Sequence, residues 1–283
     1  MDIALAKTFL TVAETGSFID AGRRMNLTQS TVSSRIKNLE DALGQALFQR
    51  SKLGAELTTA GEQFRRHALT LVRVWQHAQF EVGLSSYHRD HLAVGAPEAL
   101  WGGFLLPWVS WMRAHIPDIA VTARAETSSD LTMRMLEGTL DLAVTYRPIQ
   151  QSGVVSEHLF DDVFVLVTSA KPGTRRNAIE HVTLDWGPDV QESEAGGDPS
   201  FTNTGLSLEL GANGLTYMLD NPCVGYVPMR LARAHMKRRR LRKAPRARAI
   251  AHPVFMSYPE VRDEDAYDPI LDALRSAADD AGR

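Results

Sequence analysis

Residues 17–43, SFIDAGRRMNLTQSTVSSRIKNLEDAL, read as two short helices joined by a tight polar turn. In the second helix Val32, Ile36, Leu39 and Leu43 fall at i, i+4, i+7 and i+11, the spacing of one buried helical stripe. The other side carries Gln29, Ser30, Ser33, Ser34 and Lys37, which are short hydrogen-bonding groups and one cation. Thr28 stands where an N-cap belongs. A helix that is apolar behind, small and polar in front, and entered through a cap suits the DNA major groove. The stretch therefore predicts a sequence-specific DNA reader of the helix-turn-helix type.

The flanks extend this reading. A first helix is expected over about residues 2–14, with Leu5, Phe9 and Val12 on one face, ended by Gly16, with Ser17 capping the next. After Gly44, residues 47–57 alternate loosely around a Lys/Gly turn, which predicts a two-stranded wing with Arg50 and Lys52 where a wing meets phosphate. From Thr59 to about residue 87 a long helix is predicted. Within it Gly61, Phe64, Ala68, Leu71, Trp75, Ala78 and Val82 step by 3 and 4, the heptad seam of paired helices. This seam is read as a dimer interface; an amphipathic helix packed on its own domain is the alternative.

Bulk properties constrain the class without choosing the function. The 283 residues are 44% hydrophobic and 23% charged, ordinary for a globular protein with more than one core. A net charge of -3 and pI near 6.3 do not by themselves favour a polyanionic partner. Residues 1–66 hold nine Lys/Arg against seven Asp/Glu. Residues 233–248 hold nine Lys/Arg and no acid, and 260–280 are acidic; the basic run is read as a solvated face, with a second nucleic-acid patch or a partner in the acidic tail as alternatives. One cysteine, Cys223, excludes an intramolecular disulfide and fits a reducing compartment. With no bilayer-length apolar run and no basic n-region at the start, a cytoplasmic protein without membrane contact is expected.

From residue 91 the texture changes. Strands are expected over 92–96, 120–125 and 140–145, with helices over 100–115 and 129–137 between them, the βαβαβ order of a parallel sheet. A strand over 162–168 precedes a less regular Gly-, Pro- and acid-rich region, 171–258. Within that region a strand–helix unit at 223–240 and a strand at 249–258 are expected, followed by a closing helix over 268–281.

The first 66 residues resemble the LysR-type transcriptional regulators. The matching residues are Leu5, Phe9, Val12, Gly16, Ser17, Phe18, Ala21, Leu27, Gln29, Val32, Ser33, Ile36, Leu39, Glu40, Leu43, Gly44, Leu47, Phe48, Arg50, Leu57, Thr58 and Gly61. Gly138-Thr139-Leu140-Asp141-Leu142-Ala143-Val144 and Gly225-Tyr226-Val227-Pro228 are similar to the family's effector domain. Leu100-Trp101 and Asp185-Trp186-Gly187-Pro188-Asp189 are similar to an HdfR-like branch. Gly22 and Ser34 depart from the pattern, standing where an Ala and a basic residue are usual. So does Ala96-Pro97-Glu98, where relatives offer Ser or Thr to an anion and this chain presents a carboxylate.

The resemblance implies an α/β protein with three parts: a winged helix-turn-helix (1–58), a linker helix (59–89) and a periplasmic-binding-protein-like effector domain (90–283). In that domain 90–165 with 260–283 form one α/β subdomain and 166–259 the other. It also implies a pseudo-palindromic promoter site, a homodimer or dimer of dimers, a small-molecule effector and contact with RNA polymerase. Candidate DNA contacts are Ser17, Gln29, Ser30, Ser33, Ser34, Lys37, Arg50 and Lys52. Candidate effector residues are Pro97, Glu98, Ala99, Trp101, Thr127, Ser128, Ser129, Tyr146 and Thr202, at the carboxyl ends of the strands; Thr127–Ser129 also precede a helix N-terminus, which favours an anion. No GxSxG, HExxH, P-loop or GxGxxG motif occurs and the nine His lack ligand spacing, so no enzyme, metal or cofactor is expected. Cys223, without a basic neighbour, reads as a buried structural thiol. A small-molecule sensor whose helix-turn-helix serves only protein contacts is the alternative function.

Overall fold

The computed structural model describes residues 2–51, 54–83, 90–175, 178–187, 190, 205–244 and 248–282. Three helices open the chain: α1 (Ile3–Thr15), α2 (Phe18–Met25) and α3 (Gln29–Leu43). Ser17 and Thr28, the expected caps, accept from Asp20 and Thr31 N–H, and Asp2, expected within the first helix, instead caps it by accepting from Ala4 N–H. Gly16 and Gly44 end α1 and α3 in the left-handed region, φ 61° and 67°. The wing follows as β1 (Phe48–Ser51) paired antiparallel with β2 (Gly54–Leu57), and then α4 (Thr59–Gly83). Val32, Ile36 and Leu39 are buried, as their spacing predicts, but Leu43, the last residue of the helix, is 42% exposed.

α4 does not stand clear of its own domain. Phe64 stacks edge-on against Phe9 at 5.0 Å, and Ala68 is fully buried with Phe9, Val12 and Leu69. These two residues of the predicted dimer seam therefore close the helix-turn-helix core, because α1 offers them an apolar wall before any partner does. Leu71, Val74 and Trp75 lie beyond that wall and are exposed. Ala78 is half-buried, and the Val82 side chain lies outside the described residues.

The remainder builds one nine-stranded sheet, whose strands lie in the order 119–125, 90–96, 142–145, 250–259, 154–168, 223–228, 180–184 and 206–208, with 242–243 paired on 154–168. β3 (Asp90–Ala96) leads through a single helical turn, α5 (Glu98–Leu100), and a wide turn at Trp101–Leu105 into α6 (Leu106–His115). The single helix expected over 100–115 is thus broken, since Gly102 and Gly103 adopt non-helical φ/ψ. β4 (Ile119–Ala125), α7 (Ser128–Leu136) and β5 (Leu142–Thr145) complete a parallel βαβαβ unit.

β6 (Val154–Thr168) is more than twice the length anticipated and runs antiparallel to β11 (Ile250–Pro259) over ten residue pairs. These two strands carry the sheet from one half of the effector region to the other, so the division expected near residue 165 falls inside β6. The second half contains β7 (Glu180–Leu184), β8 (Leu206–Leu208), α8 (Ala212–Asp220), β9 (Cys223–Pro228), α9 (Met229–Lys237) and β10 (Arg242–Lys243). α10 (Glu264–Gly282) closes the chain against β6, through Tyr267, Ile270, Leu271 and Leu274.

Within this chain the helix-turn-helix rests on the first half of the effector region. Arg24 of α2 bridges Glu14 of α1 at 3.0 Å and Glu137, after α7, at 2.8 Å. Arg65 donates to Gln151 at 2.7 Å. Burial raises the Glu14 carboxyl above its ordinary pKa, and the hydrogen bond and charge of Arg24 oppose that rise.

Candidate DNA interface and ligand cleft

The front of α3 is open. Gln29, Ser30, Ser33, Ser34 and Lys37 are all exposed while Val32, Ile36 and Leu39 anchor the back. The turn into α3 is fixed by Asn26, left-handed at φ 53°, and by Leu27 N–H donating to Gly22 O at 2.8 Å. A Cβ on Gly22 would lie 2.9 Å from Leu27 O, which explains a glycine where a better helix former is usual. Ser17 spends its hydroxyl on Asp20 N–H at 3.2 Å, so its role seen here is a cap. Ser30 Oγ lies 2.9 Å from Thr28 Oγ1.

Glu40, on the inner side of α3, accepts from Leu47 and Phe48 N–H at 2.7 and 3.2 Å and so ties the reading helix to the wing. Arg50 pairs by its backbone with Ala55; its side chain and all of Lys52 lie outside the described residues. Arg240 pairs with Asp220 at 3.2 Å and Arg242 donates to Ala170 O, while Arg262 and Arg275 answer Asp268 and Asp272 within the tail.

A cavity of about 280 Å³ opens between the two halves of the sheet, beyond the carboxyl ends of β3, β4, β5, β7 and β8. Its wall is Pro97, Glu98, Ala125, Glu126, Thr127, Ser128, Tyr146, Asp185, Trp186, Gly187, Glu209 and Gly211. Five of the candidate effector residues stand there: Pro97, Glu98, Thr127, Ser128 and Tyr146. Ala99 and Trp101 do not; both are buried in the core, where Trp101 Nε1 donates to Ala96 O at 3.1 Å. Ser129 is exposed and turned to Thr127 Oγ1 at 2.8 Å, and Thr202 lies outside the described residues.

Sequence reasoning missed the far wall, although Asp185-Trp186-Gly187 was singled out as a phrase. Alternation cannot show that Asp185 folds back on Gly187 N–H at 2.7 Å and so turns the chain along the cavity. Behind the wall, Tyr146 Oη donates to Asp162 at 2.9 Å and Arg230 meets the same carboxylate at 3.0 Å while also donating to Ala99 and Gly102 carbonyls. Burial and the Asp162 charge push the Tyr146 phenol well above its ordinary range, so it is a neutral hydroxyl at any physiological pH. The cavity thus has an anchored floor and hydrogen-bonding walls.

Residues 3–62 match the bacterial regulatory helix-turn-helix proteins of the lysR family, and residues 85–279 match the LysR substrate binding domain. The HTH-type transcriptional regulator HdfR of Salmonella newport is 30% identical over 282 residues, 98% of both chains. Among solved structures, full-length LysG of Corynebacterium glutamicum with bound effector Arg superposes with a TM-score of 0.62 at 21% identity, covering 98% of each chain. DarR of Vibrio fischeri in complex with DNA does so with a TM-score of 0.57 at 17% identity, covering 97% of this chain and 98% of that one.

Proposed function

The chain belongs to the LysR family of transcriptional regulators, with a DNA-binding helix-turn-helix and an effector-binding domain, and from that premise we propose how it works. It binds a pseudo-palindromic promoter site as a dimer or dimer of dimers, placing one α3 in each of two successive major grooves. The observation that carries this reading is the open face of α3, where five polar side chains are exposed on a helix whose back is locked to the domain core. Gln29, at the start of the helix, is the residue suited to a bidentate contact with adenine; Ser30, Ser33 and Ser34 reach base edges or phosphates, and Lys37 a phosphate. Ser17, Arg50 and Lys52 complete the phosphate contacts.

A small molecule held between the halves of the sheet changes the relative placement of the paired DNA-binding domains, and with it the bend of the promoter and the contact with RNA polymerase. The protein works in the cytoplasm and regulates without catalysing a reaction.

Sequencing the genomic fragments retained by the purified protein tests the reading directly. A defined inverted repeat is expected, bound with a steep log–log salt dependence. Gln29→Ala is expected to weaken that site by about 1–3 kcal/mol and to relax the preference at one base pair per half-site. Retention of random fragments, or an unaltered preferred sequence in the variant, counts against it.

A further inference from the structure

Resting on the reading of the inter-subdomain cavity as the effector site, we propose that its ligand is a cation. The class is a small organic ammonium or guanidinium compound whose positive group sits among Glu98, Asp185 and Glu209. Among the described residues the cavity wall carries four carboxylates, Glu98, Glu126, Asp185 and Glu209, and no Lys or Arg. Of its four carboxylates, Glu126 is neutralised by Arg134 at 2.5 Å. Among the described residues no cation pairs with the other three; Asp185 accepts only a backbone N–H, from Gly187.

The helix N-termini at the cavity, which ordinarily attract anions, are already supplied. Thr127 Oγ1 accepts Asp130 N–H at 3.2 Å and donates to the Asp130 carboxylate at 2.7 Å, so the first turn of α7 carries its own negative charge. Across the cleft, a Cβ on Gly211, the N-cap of α8, would fall 2.5–2.8 Å from the carboxyl atoms of Glu98. The Glu98 carboxylate therefore lies over the start of α8, where an anionic ligand would have to go. A buried cation linked to the wall, Arg230, is spent on Asp162 and two carbonyls. An anion entering the cavity meets uncompensated like charge, whereas a cation meets three carboxylates on a wall that also includes Tyr146 and Trp186.

Titration of the full-length protein with putrescine, agmatine, spermidine and choline, and in parallel with succinate and glutarate, tests the proposal through thermal melting and tryptophan emission. At least one amine is expected to bind saturably, and Glu98→Gln and Asp185→Asn are each expected to weaken it tenfold or more. Glu209→Gln, at an exposed position, keeps the test open if either of those variants fails to fold. Amine binding that all three variants leave unchanged places the cation elsewhere and overturns the proposal. Saturable binding of a dicarboxylate and of no amine also overturns it, while leaving the cavity as the effector site. Binding of neither class removes both readings together.

Discussion

At Gly61 a single hydrogen sets how closely α4 approaches the wing. A Cβ there would lie 2.2 Å from Leu47 O and 2.9 Å from Leu57 Cδ2, and Leu47 O is also the acceptor for Thr58 N–H at 3.0 Å. Alanine improves helix propensity by about 1 kcal/mol, but overpacking against a fixed carbonyl costs about 1–3 kcal/mol and has no flexible neighbour to absorb it. Gly61→Ala is therefore expected to lower the denaturant midpoint, with a net loss of up to about 2 kcal/mol, whereas Gln63→Ala, on the exposed side of the same helix, should stay within about 0.5 kcal/mol. Equal midpoints for the two variants would refute the steric account. Cys223 shows what sequence conveys well at this scale: a cysteine without basic neighbours reads as inert, and burial, followed by the charge of Glu180, pushes its thiol up to about 11. Trp101 shows the converse. Its place in the chain put it near the cleft, but the direction of an indole depends on the kink at Gly102 and Gly103, which no periodicity reports.

At the scale of elements, the docking of α10 on β6 has a testable electrostatic part. Arg275 donates through Nε and a terminal nitrogen to the two oxygens of Glu157, both at 2.8 Å. The Arg275 hydrogen bonds hold the Glu157 carboxyl below its ordinary value of 4.5, with burial working the other way. A depressed carboxylate contributes stability that is present above the unfolded value and is lost as pH falls through the lower folded one. With both side chains more than a third exposed, the contribution is under about 1 kcal/mol. Urea midpoints should thus separate wild type from Glu157→Gln at pH 7, and the gap should close as pH falls below that carboxylate range. A gap that persists in acid would mean the pair acts through packing. Elements were legible where patterns ran long: α1 to α4, the wing and the βαβαβ unit follow from caps, glycines and uninterrupted apolar runs. β7, β8 and α8 were not, because strands of five and three residues separated by Gly- and acid-rich sequence carry too few positions for any period to register. β6 is read short from sequence because its first half carries Glu157, His158 and Asp161, polar residues that look like a loop until β11 pairs with them.

For the whole molecule the open question is what covers α4. Its first half is consumed by the helix-turn-helix core, and Arg24, shared between Glu14 and Glu137, fixes that core on the effector region of the same chain. What remains free is a stripe one helical face wide, with Leu71 39%, Val74 62% and Trp75 45% exposed at i, i+3 and i+4, and Ala78 following at i+7. A helix of 25 residues is about 37 Å long, and we propose that its distal half pairs with a second copy while its first half stays with the DNA-binding domain. The seam is shorter than the sequence implied, so its anchors matter more, and an exposed tryptophan flanked by aliphatic side chains is the composition of an interface hot spot. The double change Leu71→Ser with Trp75→Ser is expected to cost about 2 kcal/mol or more of association free energy, shifting the dimer dissociation constant by well over tenfold. Sedimentation velocity over a concentration series reads that shift. Because Phe64 and Ala68 stay in place, the melting of the helix-turn-helix core should be little affected. DNA affinity should fall with the mass, since a single α3 with one cation on its reading face holds the duplex weakly. A variant that keeps its mass but loses DNA binding would locate the pairing surface outside α4.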